Sequence, residues 1–146
     1  MSGKPDGVKT QILVIEDNPA DVEILRYALD NAKVDCELIV IADGGEALAF
    51  FQQRGKFLDN GPPDLAILDL NLPRYDGIEL LEAMRANRAF DAVPITVLSS
   101  SSSPRDRAKI EAFGITRYIT KPPDLEEYMR IGTIVKQILE ETQTPR

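Results

Sequence analysis

Three carboxylates, a hydroxyl and a lysine carry the chemistry this sequence could do. Glu16 and Asp17 follow one short apolar run, Asp69 follows a second with Leu70 and Asn71 behind it, Ser99, Ser100 and Ser101 follow a third, and Lys121 and Pro122 follow a fourth. Carboxylates brought together repel, and each resists ionisation unless a cation joins them. A hard divalent ion such as Mg2+ meets that need: it takes oxygen ligands, keeps several waters, and binds one or two carboxylates plus a phosphate. One carboxylate can then attack phosphorus and become an aspartyl phosphate. The ion and Lys121 would offset charge on the transferring group, and Ser99 could donate a hydrogen bond to it.

What the chain lacks narrows the choice further. Among 146 residues there is no histidine and one cysteine, Cys36. That excludes Ser-His-Asp and Cys-His catalysis and leaves no ligand set for a structural zinc. A single cysteine forms no intrachain disulfide, so a reducing compartment, the cytoplasm, is expected. Seventeen basic residues against 24 acidic ones give a net charge of −7, which argues against nucleic acid as a partner. No apolar run reaches the ~18–20 residues that span a bilayer, and no membrane association is expected.

The elements that must position these residues are legible as a pattern. Apolar runs at 12–15, 38–42, 65–68, 95–98 and 118–120 suit strands, the first four buried on both faces as in a parallel sheet. Helical spacing lies between them: Val22, Leu25, Leu29 and Ala32 after Pro19; Ala47, Leu48 and Phe51 after Asp43; Ile78, Leu81 and Met84 after Asp76; Tyr128, Ile131, Val135 and Ile138 after Asp124. The segment after Pro104 offers only Ala108, Ile110, Ala112 and Phe113 among charges, so its helix is the weakest and a candidate mobile element. Strand–helix alternation repeated five times predicts an α/β doubly wound fold with right-handed crossovers. In such a sheet, ligands bind outside the carboxyl ends of the strands, where the candidate residues fall. The 54–63 connection is unusually long and polar, and the five serines at 99–103 read as a flexible loop beyond Ser99. One domain over 10–142 is expected, with flexible tails at 1–9 and 143–146 and no output domain.

Taken together, Ile-Leu-Val-Ile-Glu-Asp at 12–17, Asp69, Leu72-Pro73, Asp76-Gly77, Pro94 to Ser99 and Tyr118 to Pro122 resemble the response-regulator receiver domain, the CheY-like family of two-component signalling. The resemblance runs over roughly Gln11 to Leu139. It implies a flavodoxin-like (βα)5 fold with five parallel strands in the order 2-1-3-4-5. By the same resemblance Asp69 is the phosphoacceptor. Glu16, Asp17, Asp69 and the Asn71 carbonyl would hold Mg2+, Glu16 through water. Ser99 and Tyr118 take the hydroxyl and aromatic switch positions, Ser100 counts with the phosphate-binding residues, and Lys121 is the family lysine. The bond from Lys121 to Pro122 is expected to be cis. Asn18-Pro19-Ala20-Asp21, Asp69 to Pro73 and the long 54–63 connection look most like the stand-alone regulators that serve bacterial phytochrome and related sensor kinases.

Each residue taken alone has a plainer reading. Asp17 could start a helix, Lys121 could be a surface lysine, Tyr118 could be core and Tyr75 a surface aromatic. Their convergence on one edge of the sheet favours function. The expected function is a phosphoacceptor rather than an enzyme, taking its phosphoryl group from a sensor histidine kinase and passing the signal on through protein contacts. A metal-dependent phosphatase and a phosphorylation-independent scaffold are the alternatives. Mixed charges on the 104–113 helix and on the 124–141 helix suggest pairing of two copies about a two-fold.

Overall fold

The computed structural model describes residues 9–72, 75–100 and 103–143. The expectations placed on 1–8, Pro73, Ser101, Ser102 and 144–146 lie outside those residues. Five strands alternate with five helices: β1 (Thr10–Ile15), α1 (Pro19–Asn31), β2 (Cys36–Ile41), α2 (Gly44–Phe51), β3 (Leu65–Asp69), α3 (Gly77–Ala86), β4 (Ile95–Ser99), α4 (Pro104–Glu111), β5 (Arg117–Thr120) and α5 (Leu125–Gln143). The sheet is parallel throughout, in the order β2-β1-β3-β4-β5, a flavodoxin-like arrangement.

The two-residue period of the strands sorts their side chains into two cores. Ile12 and Val14 of β1, with Leu65 and Ile67 of β3, face α1 and α5, where Leu25, Leu29, Tyr128, Ile131, Val135 and Ile138 close the layer. Leu13, Ile15, Ala66 and Leu68 face the opposite way, onto Phe50, Phe51, Leu80, Leu81 and Met84 of α2 and α3. The central strands β3 and β4 are therefore buried at every position, and mostly apolar, because both faces are covered. β2 departs from that expectation. As an edge strand it buries only Ile41 fully, and Val40 is 37% exposed.

Helix starts follow local rules. The Asn18, Asp43, Asp76 and Ser103 side chains accept from backbone N–H groups of the first turns of α1, α2, α3 and α4, and Asp124 accepts from the N–H of Glu127 in α5. Since Asn18 caps α1, Asp17 is spared that task. The α1 and α5 axes approach closely at Gly132, where a Cβ would collide with the Ala28 carbonyl. A glycine there gives up about 1 kcal/mol of helix propensity to allow the contact.

The long connection before β3 is not featureless. It forms a short 3-10 turn at Gly55–Phe57, and the Phe57 ring packs on Phe50 with centroids 5.2 Å apart. α4 is weakly anchored as expected, with Ile110 its one fully buried residue. Its carboxyl end is held from α3 by Arg85, whose guanidinium donates to the carbonyls of Phe113 (2.8 Å) and Gly114 (3.2 Å).

Candidate functional site

Strand register assembles the site. Ile15 of β1 pairs with Leu68 of β3, so the next residues, Glu16 and Asp69, emerge side by side at the carboxyl edge of the sheet. Asp69 pairs with Leu98, and Ser99 with Thr120, which brings Lys121 over the same edge. The Lys121 N–H donates to the Ser99 carbonyl at 2.8 Å and fixes the exit from β5.

The Lys121 ammonium is the centre of this edge. It lies 2.9 Å from Asp69 Oδ2, 3.1 Å from Asp21 Oδ2 and 3.2 Å from Glu16 Oε1. Burial draws the Lys121 pKa down, but hydrogen bonds to Asp69 and Asp21 and the charges of Asp69 and Glu16 outweigh it, and the net shift is upward. Glu16 is shifted upward too, which for a carboxylate favours the protonated, neutral form. Burial, a hydrogen bond with Asp69 and the Asp69 charge push it up to about 7, against smaller opposing effects of the Asn18 N–H and Lys121. The acidic side of the edge is thus short of positive charge even with the lysine in place.

Glu16, Asp17 and Asp69 each offer a carboxylate oxygen within 4.8 Å of the others. All the donors are hard oxygens, two of the three side chains are buried, and Glu16 holds its proton too tightly for a solvated acid. That combination fits a hard divalent ion. Asn71 sits two residues beyond Asp69 and its N–H donates to Asp69 Oδ1 at 2.9 Å. The Asn71 side chain turns to Ser100, with Nδ2 to Oγ at 2.5 Å and the Ser100 N–H to Oδ1 at 3.4 Å, and so ties the loop after β3 to the loop after β4.

The remaining expectations divide. Ser99 is buried at the end of β4. Tyr118 is buried as well, but in the apolar layer with Val97 and Ile110. Its ring carries the Arg107 guanidinium at 5.1 Å, a cation–π contact from α4. The cis bond expected before Pro122 is corrected: no described peptide bond is cis, and Lys121–Pro122 is trans. The trans isomer is intrinsically favoured by about 0.5–1 kcal/mol, and Lys121 reaches all three carboxylates with it.

Sequence reasoning missed two residues. Asp21 reads as an ordinary acid in the first turn of a helix, where the dipole favours one; only its spacing of four from Asp17 hints that it faces the same edge. Arg107 reads as a surface charge on α4, and nothing local signals that it covers Tyr118.

A parallel five-stranded sheet of this order, with an acidic trio and a lysine at its carboxyl edge, defines a metal-binding receiver-type α/β domain. The model of the response regulator receiver domain matches residues 12–131, and the chain belongs to that family, the signalling phosphoacceptors of two-component systems. The response regulator Rcp1 of Synechocystis sp. is 33% identical over 133 residues, 91% of this chain and 90% of its own. Protein PilG of Pseudomonas aeruginosa is 33% identical over 129 residues, 88% of this chain and 87% of its own. Among solved structures, the phosphorylated cyanobacterial phytochrome response regulator RcpA superposes with a TM-score of 0.83 at 33% identity, covering 94% of this chain and 98% of its own. The Mn2+-bound form of Rcp1 gives 0.82 at 32% identity, covering 94% and 99%. No helix among the described residues is long and apolar enough to cross a membrane.

Proposed function

We propose that residues 10–142 act as a receiver whose Asp69 accepts a phosphoryl group, with Mg2+, from the phosphohistidine of a sensor kinase and thereby switches protein contacts. The observation that carries this reading is the Lys121 ammonium 2.9 Å from Asp69 Oδ2, beside an acidic trio that shares one position for a cation. Asp17, Asp69 and the Asn71 carbonyl would hold the ion, with Glu16 acting through water. When bound, the ion neutralises charge on the transferring phosphoryl group.

Asp69 supplies the nucleophile. An Asp69 carboxylate oxygen bonds to phosphorus as the phosphorus–nitrogen bond of the donor breaks, and the imidazole nitrogen keeps the electron pair. Lys121 meets the phosphoryl oxygens, and Ser99 at the end of β4 and Ser100 just beyond it offer hydroxyls. A phosphoryl group concentrates about two negative charges at one point. Ser99 turns towards it, Tyr118 follows, and the weakly anchored α4 with β5 shifts between two arrangements. The site lies at an open sheet edge with Asp17 exposed, which suits transfer from a protein partner better than turnover of small phosphomonoesters.

The resemblance to Rcp1 and RcpA supports a phytochrome-type kinase as donor. Incubation with such a kinase carrying labelled phosphohistidine tests this: label moves to the wild type but not to Asp69→Asn. Label staying on the kinase, while the protein accepts phosphoryl from a small acyl phosphate, would assign it another donor. The charged faces of α4 and α5 support pairing of two copies as one output. Sedimentation with beryllofluoride as phosphoryl mimic should show a dimer, and a strict monomer in both states would rule this output out.

A further inference from the structure

An ammonium has three N–H bonds, and Lys121 has three carboxylate partners for them, Glu16, Asp21 and Asp69. Two of these are committed elsewhere by the chemistry proposed above. Glu16 belongs to the trio that fits a cation, and Asp69 loses its carboxylate charge once it is esterified. Asp21 stands outside the trio. It rides on the first turn of α1, which starts at the Asn18 cap and is seated against α5 by the close approach at Gly132. Behind the site, Asp21, Asp69 and Tyr128 line one small void.

We propose that Asp21 is a positioning residue for phosphoryl transfer, holding the Lys121 ammonium over the Asp69 position when Glu16 is engaged with the cation and Asp69 gives up its carboxylate charge to the phosphoryl group. The proposal rests on the function proposed above. It explains why a fourth carboxylate is tolerated at an edge already crowded with negative charge. Lysine has a flexible four-carbon stem, and a fixed charge on a rigid helix removes the search for the phosphoryl oxygens. Donors already in place where charge develops need no reorganisation during the reaction. Asp21 touches neither phosphorus nor the acidic trio's shared position, so it acts only through Lys121.

The test reads the lysine directly. In 15N-labelled, Mg2+-loaded protein, the Lys121 Nζ signal is assigned by its loss in Lys121→Arg and compared among the wild type, Asp21→Ala, Asp21→Asn and Asp21→Glu. Metal-dependent phosphorylation by a small acyl phosphate and Mg2+ affinity are measured on the same samples. In Asp21→Ala the ammonium signal broadens into exchange with water and the phosphorylation rate falls about tenfold, the size usual for an orienting outer partner, while Mg2+ affinity stays near wild type. Asp21→Glu recovers most of the rate. Asp21→Asn guards against loss of fold and moves in the same direction as Asp21→Ala by less. An unchanged signal and rate in Asp21→Ala would overturn the proposal, and so would a parallel fall in Mg2+ affinity and rate. A wild type that accepts no phosphoryl group would overturn the function instead; the ammonium signal then decides the role of Asp21 alone, its loss in Asp21→Ala supporting positioning and its persistence refuting it.

Discussion

Lys121 Nζ and Asp69 Oδ2 lie 2.9 Å apart although 52 residues separate them, because the register from β3 through β4 to β5 carries both to one edge. This pair neutralises part of an edge that holds the carboxylates of Glu16, Asp17, Asp21 and Asp69. Removing one partner of a largely buried pair leaves the other uncompensated. Lys121→Ala should therefore cost about 2 kcal/mol in EDTA, a value reduced for its partial exposure. Millimolar Mg2+ should restore more stability to this variant than to the wild type. Thermal unfolding with and without Mg2+ measures both, and an equal response to Mg2+ in the two proteins would count against the shared acidic edge.

Glu16 makes the site pH-sensitive. Its pKa in the metal-free fold is about 7 against an ordinary 4.5, so between these values the folded chain binds a proton that the unfolded chain has released. Metal-free stability should then fall as pH rises from about 4.5 through about 7. A cation has the opposite dependence, since it must displace that proton. Mg2+ affinity should climb with pH, by at most about tenfold per unit, and level off above pH 7. Titration calorimetry from pH 5.5 to 8.5 checks this, with Glu16→Gln expected to flatten the rise.

Tyr75 packs its ring on the start of α2, where a Cβ at Gly44 would sit 2.5 Å from Cγ and Cδ2 of the ring. The side chain read as a surface aromatic is therefore a bridge between the loop after β3 and the amino end of α2. Gly44→Ala should destabilise the wild type by about 1–3 kcal/mol through overpacking. In a Tyr75→Ala background the same change should be neutral or slightly stabilising, since alanine is the better helix former. A double-mutant cycle by urea unfolding gives the coupling; additive effects would remove the bridge.

Thr96 sits at the centre of β4, fully buried, and its hydroxyl is the one buried side-chain group among the described residues without a hydrogen-bond partner. A valine keeps the shape and removes the unsatisfied group. Thr96→Val should gain about 1 kcal/mol, or about 2–5 °C in melting temperature. A lower melting temperature would show that the hydroxyl is paired in solution.

Much of this arrangement is legible in the chain. The runs at β1, β3 and β4 announce themselves because both faces are covered, and Asn18, Asp43, Asp76, Ser103 and Asp124 mark helix starts through short-range bonds. That Glu16, Asp17, Asp69 and Lys121 share one edge is legible because strand ends are where such sheets place ligands. The half-exposure of β2 was not legible, since an apolar run does not say which strand lies at the edge. Asp21, Arg85, Arg107 and Tyr75 act across 11 to 100 residues through side chains whose local sequence looks ordinary for a helix or loop. The isomer of the Lys121–Pro122 bond is set by tertiary context, and the family pattern gave the wrong one for this structure.

Phosphoryl transfer to Asp69 with a divalent ion is the step on which the proposed function depends. Intact mass, measured after mixing the protein with a small acyl phosphate and Mg2+, tests it most directly beside Asp69→Ala and an EDTA control. The wild type with Mg2+ should gain one phosphoryl group, and neither control should gain any. A wild type that gains nothing while folded and Mg2+-bound, or an Asp69→Ala variant that gains as much as the wild type, would contradict it.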